Sequence, residues 1–341
     1  MKTYFSGESA NDVWRQAASE VFREKQVLQD SRLGKSLELI HASFSIRDPR
    51  QRWVYSRMPA INPAFAIAEV VWILSGQNDA NFINFWNPAL PKFSGNSHFY
   101  HGAYGFRLRS HFGIDQMTRA YEVLSANPNS RQVVLQIWDP AVDLPQPDGS
   151  PVGEDVPCNI CSILKVRDGK LEWLQVMRSN DLYRGTPYNI IQFTTLQEII
   201  AGWLNLSMGE YYQISDSLHF YESDLSGIYI DSSTKGVQFC PNPDDLRLTK
   251  DEFDLIFPLV LKSMQQLCSP NLTIPEFCEI CDTTDIPPAY KNLVVIAAAD
   301  SARRRAWPDK VDMAINACSN SHLIFLWDRW ADRHSRQLRY S

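Results

Sequence analysis

Apolar residues recur at helical spacing through residues 8–27, at Val13, Trp14, Ala17, Val21 and Phe22, and predict an amphipathic helix. The polar stretch DSRLGKSLEL (30–39) reads as a loop running into a strand. AFAIAEVVWIL (64–74) is apolar on every side; Pro63 before it and Gly76 after it frame a helix. SRQVVLQIWDP (130–140) is a short β-rich run stopped by Asp139-Pro140. CSILKVRDGKLEWLQVMRS (161–179) predicts two strands around an Asp168-Gly169 turn. Ile190, Phe193, Leu196, Ile200, Trp203 and Leu204 have the period of a helix lying on a sheet, and EYYQISDSLHFYE (210–222) reads as a further strand. Beyond residue 265 the pattern predicts loops with prolines, then a helix over 309–330 and a basic tail. Strands and helices without regular βαβ alternation predict a single α+β domain.

Composition narrows the function classes. With 44% hydrophobic and 21% charged residues, the 341-residue chain suits a soluble globular protein with a substantial core. A net charge of −6 argues against direct nucleic-acid binding but leaves room for local arginine pockets around a small anion. MKTYFSGESANDVWRQ (1–16) lacks the apolar core of a secretory signal, and the apolar runs are too short and interrupted to span a bilayer. Seven cysteines, an odd number, suit reduced thiols in a cytoplasmic protein with no membrane partner.

VPCNICSILKV (156–166) carries the first candidate chemistry. Cys158 and Cys161 could form a zinc site with Cys278 and Cys281, a redox pair, or one reactive thiol beside a packing residue. Zinc knuckles need Gly-rich turns and redox pairs open helices; here a strand follows, so both readings are weak and no metal is expected. Cys161, Cys240, Cys268 and Cys318 read as small buried hydrophobes. Cys158 differs: Pro157 fixes the turn before it, and Arg178 and Ser179 close the partner strand, where a guanidinium would favour the thiolate. Glu69 is a carboxylate inside an apolar run, which predicts burial for a purpose.

Four ordered motifs then stand out: Pro157-Cys158, Arg178-Ser179-Asn180-Asp181, Gly185-Thr186-Pro187-Tyr188-Asn189 and His219-Phe220-Tyr221. With SRLGKSLEL, AFAIAEVVWILSG, HGAYGFRLR and SRQVVLQIWDP upstream, residues 1 to about 265 resemble the thymidylate synthase family, which includes pyrimidine-nucleotide hydroxymethylases. The resemblance implies a large mixed β-sheet flanked by helices and a homodimer formed through the sheet face. It implies a catalytic domain over 1–265, with 266–341 a partly helical extension packed on it. The implied reaction moves a one-carbon unit from 5,10-methylenetetrahydrofolate to C5 of a pyrimidine nucleoside monophosphate.

In that reaction a thiolate adds to C6 and makes C5 nucleophilic, a role the resemblance gives to Cys158. Glu69 would organise proton transfer near O4, Tyr104 would lie near the C5 proton, and Asp181 would anchor the folate's pterin. Arg32, Arg178 and Ser179, with Arg131 from the partner subunit, would hold the phosphate. His219 and Tyr221 would hold the sugar 3′-hydroxyl. Asn189 would read the base, and its donor and acceptor suit uracil's O4 and N3–H, so dUMP is the expected substrate.

Four departures bear on the product. Asn159 follows the nucleophile where a synthase has histidine, and Gln132 replaces the second arginine of a pair. Leu90 or Pro91, and Phe93, fall where synthases place tryptophans beside the folate, and RHSRQLRYS (333–341) stands in place of a short apolar closing tail. A site without that wall and lid admits water, which tips the expectation toward a hydroxymethyl rather than a methyl product. Thymidylate synthesis proper is the alternative. A catalytically silent nucleotide-binding homologue is another, with Arg329, Arg333, Arg336 and Arg339 as a partner-binding arm or simply a solvated helix end. Retention of Cys158, Glu69, Tyr104, Arg178, Asp181 and Asn189 together argues for catalysis.

Overall fold

The computed structural model describes residues 2–23, 28–31, 34–227, 229–231 and 242–337. Arg32, Cys240 and Arg339 lie outside the described residues, as do the side chains of Arg333 and Arg336. In chain order the elements are β1 (Tyr4–Gly7), α1 (Ala10–Arg23), β2 (Gln29–Ser31), β3 (Gly34–Ile46), β4 (Arg57–Met58), α2 (Pro63–Ser75), α3 (Ala80–Trp86) and α4 (Pro91–Ser94). Then come α5 (Tyr104–Phe106), a π-helical turn over Arg107–His111, α6 (Gln116–Ala126), β5 (Val134–Gln136), α7 (Pro140–Asp143), β6 (Asn159–Arg167), β7 (Lys170–Asp181), α8 (Thr186–Trp203) and β8 (Ser207–Tyr221). The chain continues through β9 (Tyr229–Ile230), α9 (Lys250–Cys268), α10 (Ile274–Asp282), α11 (Pro288–Arg304), α12 (Pro308–Asn316) and α13 (Ser321–Gln337).

The large sheet is mixed, as the resemblance implied. Its order is β1-β3-β8-β7-β6-β5, with β2 beside β3. β1 with β3 and β7 with β8 run parallel; the other pairs are antiparallel. The hairpin at 168–169 forms because Asp168 (φ 49°) and Gly169 (φ 70°) both take the left-handed conformation, which closes a two-residue turn between paired Arg167 and Lys170. Val13, Trp14, Ala17 and Val21 of α1 are buried, whereas Phe22 is 38% exposed and sets its ring against Phe220.

α8 is the crossover between parallel β7 and β8, and nearly every residue on it is buried. α2 explains the third layer. Asn62 Oδ1 accepts from the Ala64 and Phe65 amides, Pro63 opens the first turn, and Gly76 (φ 71°) ends the helix. All of it except Glu69 and Ser75 is buried, so it needs cover on both sides. α8 packs against it, as do α3, α5 and the C-terminal α9, α11 and α13.

The C-terminal region therefore differs from its reading as loops. Pro275, Pro288 and Pro308 sit in the first turns of α10, α11 and α12, where a missing N–H costs nothing, so they start helices rather than break them. The helix expected over 309–330 is two helices. Asn320 Oδ1 accepts the amides of His322 (2.9 Å) and Leu323 (3.2 Å), starting a new helix where one continuous helix was expected. Residue 265 falls within α9. No helix among the described residues is long and apolar enough to cross a membrane.

A buried ion pair pins this assembly. Arg52 pairs with Glu198 of α8 and donates to Thr195 Oγ1 (2.7 Å), while Glu198 accepts the Leu246 amide (3.1 Å). Both side chains are at most 3% exposed. Removing one partner strands a charge away from water, so Glu198→Leu should cost about 3–5 kcal/mol in urea unfolding. Adding Arg52→Met should recover most of that loss.

Candidate active site

Cys158 sits immediately before β6, half-buried, and its carbonyl accepts the Arg178 amide of β7 (3.0 Å). The Arg178 guanidinium reaches back along the same segment, donating to the Pro157 carbonyl (2.9 Å) and the Val156 carbonyl (3.2 Å) and lying over the Trp138 ring at 5.2 Å. Arg178 thus adjoins the segment that carries the thiol and fixes the approach of the chain to it. Ser179 follows on β7, opposite Ser217 of β8.

Three further groups converge here. Glu69 projects from α2 with its Oε2 enclosed and without a partner among the described residues. Loss of hydration pushes its carboxyl up to about 8, against the opposing hydrogen bond from Gln192. The residue as a whole is only partly buried. Tyr104, at the start of α5, is hydrogen-bonded to the Asn159 side chain. Burial, then the nearby Cys158, push its phenol well above the ordinary value; Glu69 acts in the same direction. Asn189 stands near the start of α8, 6% exposed, with its amide held by Asn159 (3.3 Å) and Asn180 (3.2 Å).

His219 and Tyr221 come from the end of β8, with ring centroids 5.1 Å apart. His219 lies in register with Asp181 of β7. Burial raises the Asp181 carboxyl, opposed chiefly by the Arg184 amide, the His219 charge and the Tyr183 amide. Its Oδ1 accepts the Tyr183 and Arg184 amides, each at 2.7 Å, so this carboxylate organises the turn into α8.

Arg131 is not brought to Cys158 within one chain. It is exposed beyond β5, and the pairing of Val134 with Ile163 puts it toward the far end of β6 from the cysteine. Cys161 is half-buried rather than enclosed: alternation along β6 turns it to the sheet face away from α8.

Some residues escaped sequence reading. Arg184 lies over the rings of Phe93 (5.1 Å) and Tyr221 (5.2 Å) and pairs with Asp224 (2.8 Å). The only sequence signal was its place inside the motif between Asp181 and Gly185. A cavity of about 350 Å³ adjoins Tyr188, lined by Arg57, Phe65, Trp86, Arg303, Arg304 and Trp330 among others. Arg57 is 6% exposed, stacks 3.8 Å from the Tyr183 ring, and leaves Nε and Nη1 without partners among the described residues. Arg303 and Arg304 share Asp300, so positive charge remains in excess. Nothing in the sequence linked positions this far apart.

Comparison with known proteins agrees with the geometry. The thymidylate synthase family model matches residues 28–254. The deoxyuridylate hydroxymethyltransferase of Bacillus phage SP01 is 33% identical over 266 residues, covering 74% of this chain and 68% of that protein. The deoxyuridylate hydroxymethyltransferase of Pseudomonas phage M6 is 34% identical over 182 residues, covering 53% of this chain and 50% of that protein. The thymidylate synthase of Francisella philomiragia is 28% identical over 177 residues, 48% of this chain and 62% of that protein. The matched span holds Glu69, Tyr104, Cys158 and Asn189 together, and the chain belongs to the thymidylate synthase family, as a one-carbon transferase.

Proposed function

We propose that this enzyme transfers the one-carbon unit of 5,10-methylenetetrahydrofolate to C5 of dUMP and releases the 5-hydroxymethyl nucleotide. The observation that carries the reading is one site holding a half-buried thiol, a carboxyl that keeps its proton at neutral pH, and an amide suited to uracil. The Cys158 thiolate adds to C6, and negative charge grows at O4. Once C5 has taken the one-carbon unit and lost its proton, water adds to the resulting methylene carbon, and elimination of the thiolate from C6 frees the 5-hydroxymethyl nucleotide. Glu69, protonated below about pH 8, supplies a proton on the O4 side, and Asn189 holds the base edge. Tyr104 keeps its proton and can relay the one leaving C5. Arg178, Ser179 and Arg32 hold the phosphate, and His219 and Tyr221 hold the sugar.

The folate supplies carbon at the oxidation level of formaldehyde when bound. The residues present fit it. Asp181 and Arg184 lie beside Tyr221, and the cavity next to Tyr188 offers aromatic walls and the positive charge of Arg57, Arg303 and Arg304 to an aromatic ring bearing glutamate carboxylates. Two of its arginines lie beyond the family match, which gives the C-terminal helices a part in the site.

The hydroxymethyl outcome is supported by the names of the two phage relatives and by Asn159 and Phe93, where synthases place histidine and tryptophan. A second copy of the chain completes the site. The sheet face away from α8 carries two cross-strand rows, Val134-Ile163-Leu174-Tyr212 and Cys161-Val176-Ile214, none of them fully buried. An apolar face of this kind suits a self-complementary dimer in which Arg131 reaches the partner's phosphate.

The following outcomes test this. Incubation with dUMP and 5,10-methylenetetrahydrofolate should yield 5-hydroxymethyl-dUMP and tetrahydrofolate by mass spectrometry, while dTMP with the absorbance rise of dihydrofolate would sink the product assignment. Tritium release from [5-³H]dUMP should vanish in Cys158→Ala; a silent homologue would release none in either protein. For Glu69, kcat/KM should fall as pH rises through about 8. Because the folded state holds this proton and the unfolded chain loses it near 4.5, wild type should lose stability relative to Glu69→Gln as pH rises from 4.5 to about 8, then level off. Finally, Arg303→Ala with Arg304→Ala should raise the KM for folate about tenfold or more and leave that for dUMP unchanged. A mixture of Arg131→Ala and Cys158→Ala proteins should regain activity that neither has alone.

A further inference from the structure

Under the site runs a line of side-chain amides. The Trp173 indole N–H donates to Gln175 Oε1 (3.2 Å), and Gln175 Nε2 donates to Asn159 Oδ1 (2.8 Å). Asn159 Nδ2 donates to Asn189 Oδ1 (3.3 Å), Asn189 Nδ2 to Asn180 Oδ1 (3.2 Å), and Asn180 Nδ2 to Ser215 Oγ (3.0 Å). No member is more than 6% exposed.

A primary amide has an oxygen end and a nitrogen end, and turning it over exchanges acceptor for donor at nearly constant shape. An indole N–H can only donate. Gln175 must therefore turn its oxygen to Trp173 and its nitrogen to Asn159. That choice fixes Asn159, Asn159 fixes Asn189, and Asn189 fixes Asn180. Reversing any one of them would set oxygen against oxygen and N–H against N–H where water is excluded, and each lost bond there carries its full desolvation cost. Ser215 imposes nothing at the far end. Its hydroxyl also accepts from Gln213 Nε2 (3.3 Å), and a hydroxyl can donate or accept.

Asn189 spends one lone pair and one N–H inside this line and keeps one of each. Uracil presents an N3–H donor beside the O4 acceptor; cytosine presents an N3 acceptor beside an amine donor. One polarity of the Asn189 amide complements uracil, and the same amide turned over complements cytosine. We infer that Trp173, acting through Gln175 and Asn159, sets the polarity of Asn189 and so makes the site choose uracil over cytosine. Trp173 is a positioning residue that need not touch the nucleotide. The inference rests on Asn189 being the base-reading residue.

Equilibrium binding of dUMP and dCMP to the full-length protein, without folate, tests it. Wild type should favour dUMP. Trp173→Phe keeps an aromatic ring but removes the obligate donor, and the dUMP-to-dCMP preference should fall about tenfold or more. Gln175→Leu breaks the line at the next link and should do the same, which covers the case in which the tryptophan variant does not fold. Ser215→Ala disturbs the same buried layer downstream of Asn189 and should leave the preference at its wild-type value. A folded Trp173→Phe or Gln175→Leu protein with the wild-type preference would overturn the relay. Wild type binding both nucleotides equally would instead overturn the reading of Asn189, and the relay with it.

Discussion

The structure depends on covering a helix that has no polar face. α2 is apolar around its whole circumference apart from Glu69 and Ser75, so burying it against α8 alone would leave half its surface in water. Ile67 and Val70 line one small cavity together with Ile191 of α8, Leu293 of α11 and Leu323 of α13, so the C-terminal helices enclose the same apolar core as α8. The same constraint makes the acid. Glu69 is the single ionisable group on that helix, and the cover that stabilises its neighbours removes its hydration and lifts its carboxyl toward 8. Packing and proton chemistry at this position are one physical fact.

Local signals were legible in the sequence and long-range ones were not. Pro63 and Gly76 marked α2 because the residues that start and stop a helix sit within a few positions of its ends. Asp168-Gly169 marked the hairpin because both residues must take positive φ. The motif residues around Cys158 were legible through a family pattern, and Glu69, Tyr104 and Asn189 lie near Cys158 or its neighbour Asn159. The C-terminal helices were misread for a local reason: a proline in a first turn and a proline in a loop look alike until the following residues pack. The cavity of Arg57, Arg303 and Arg304 was hidden more deeply, since its members are some 250 positions apart and meet only because α11 covers α2.

Between the sheet and α8 the alternation of the strands calls for apolar side chains, yet Gln175, Ser162, Gln213, Ser215, Asn180 and Asn159 occupy that face. Well-packed apolar residues would stabilise such a layer at least as well, because partnered amides only recover what they lose on leaving water. What an apolar layer cannot carry is direction. A chain of amides anchored at an indole N–H transmits donor and acceptor order across several side chains, and it does so with groups that do not titrate. A histidine in place of Asn159 would change its own donor count near neutral pH. With neutral amides the base choice proposed for Asn189 would hold constant over the same pH range in which Glu69 gains and loses its proton. On the proposed reading, the site separates two tasks, a proton donor at Glu69 that responds to pH and a base reader at Asn189 that does not.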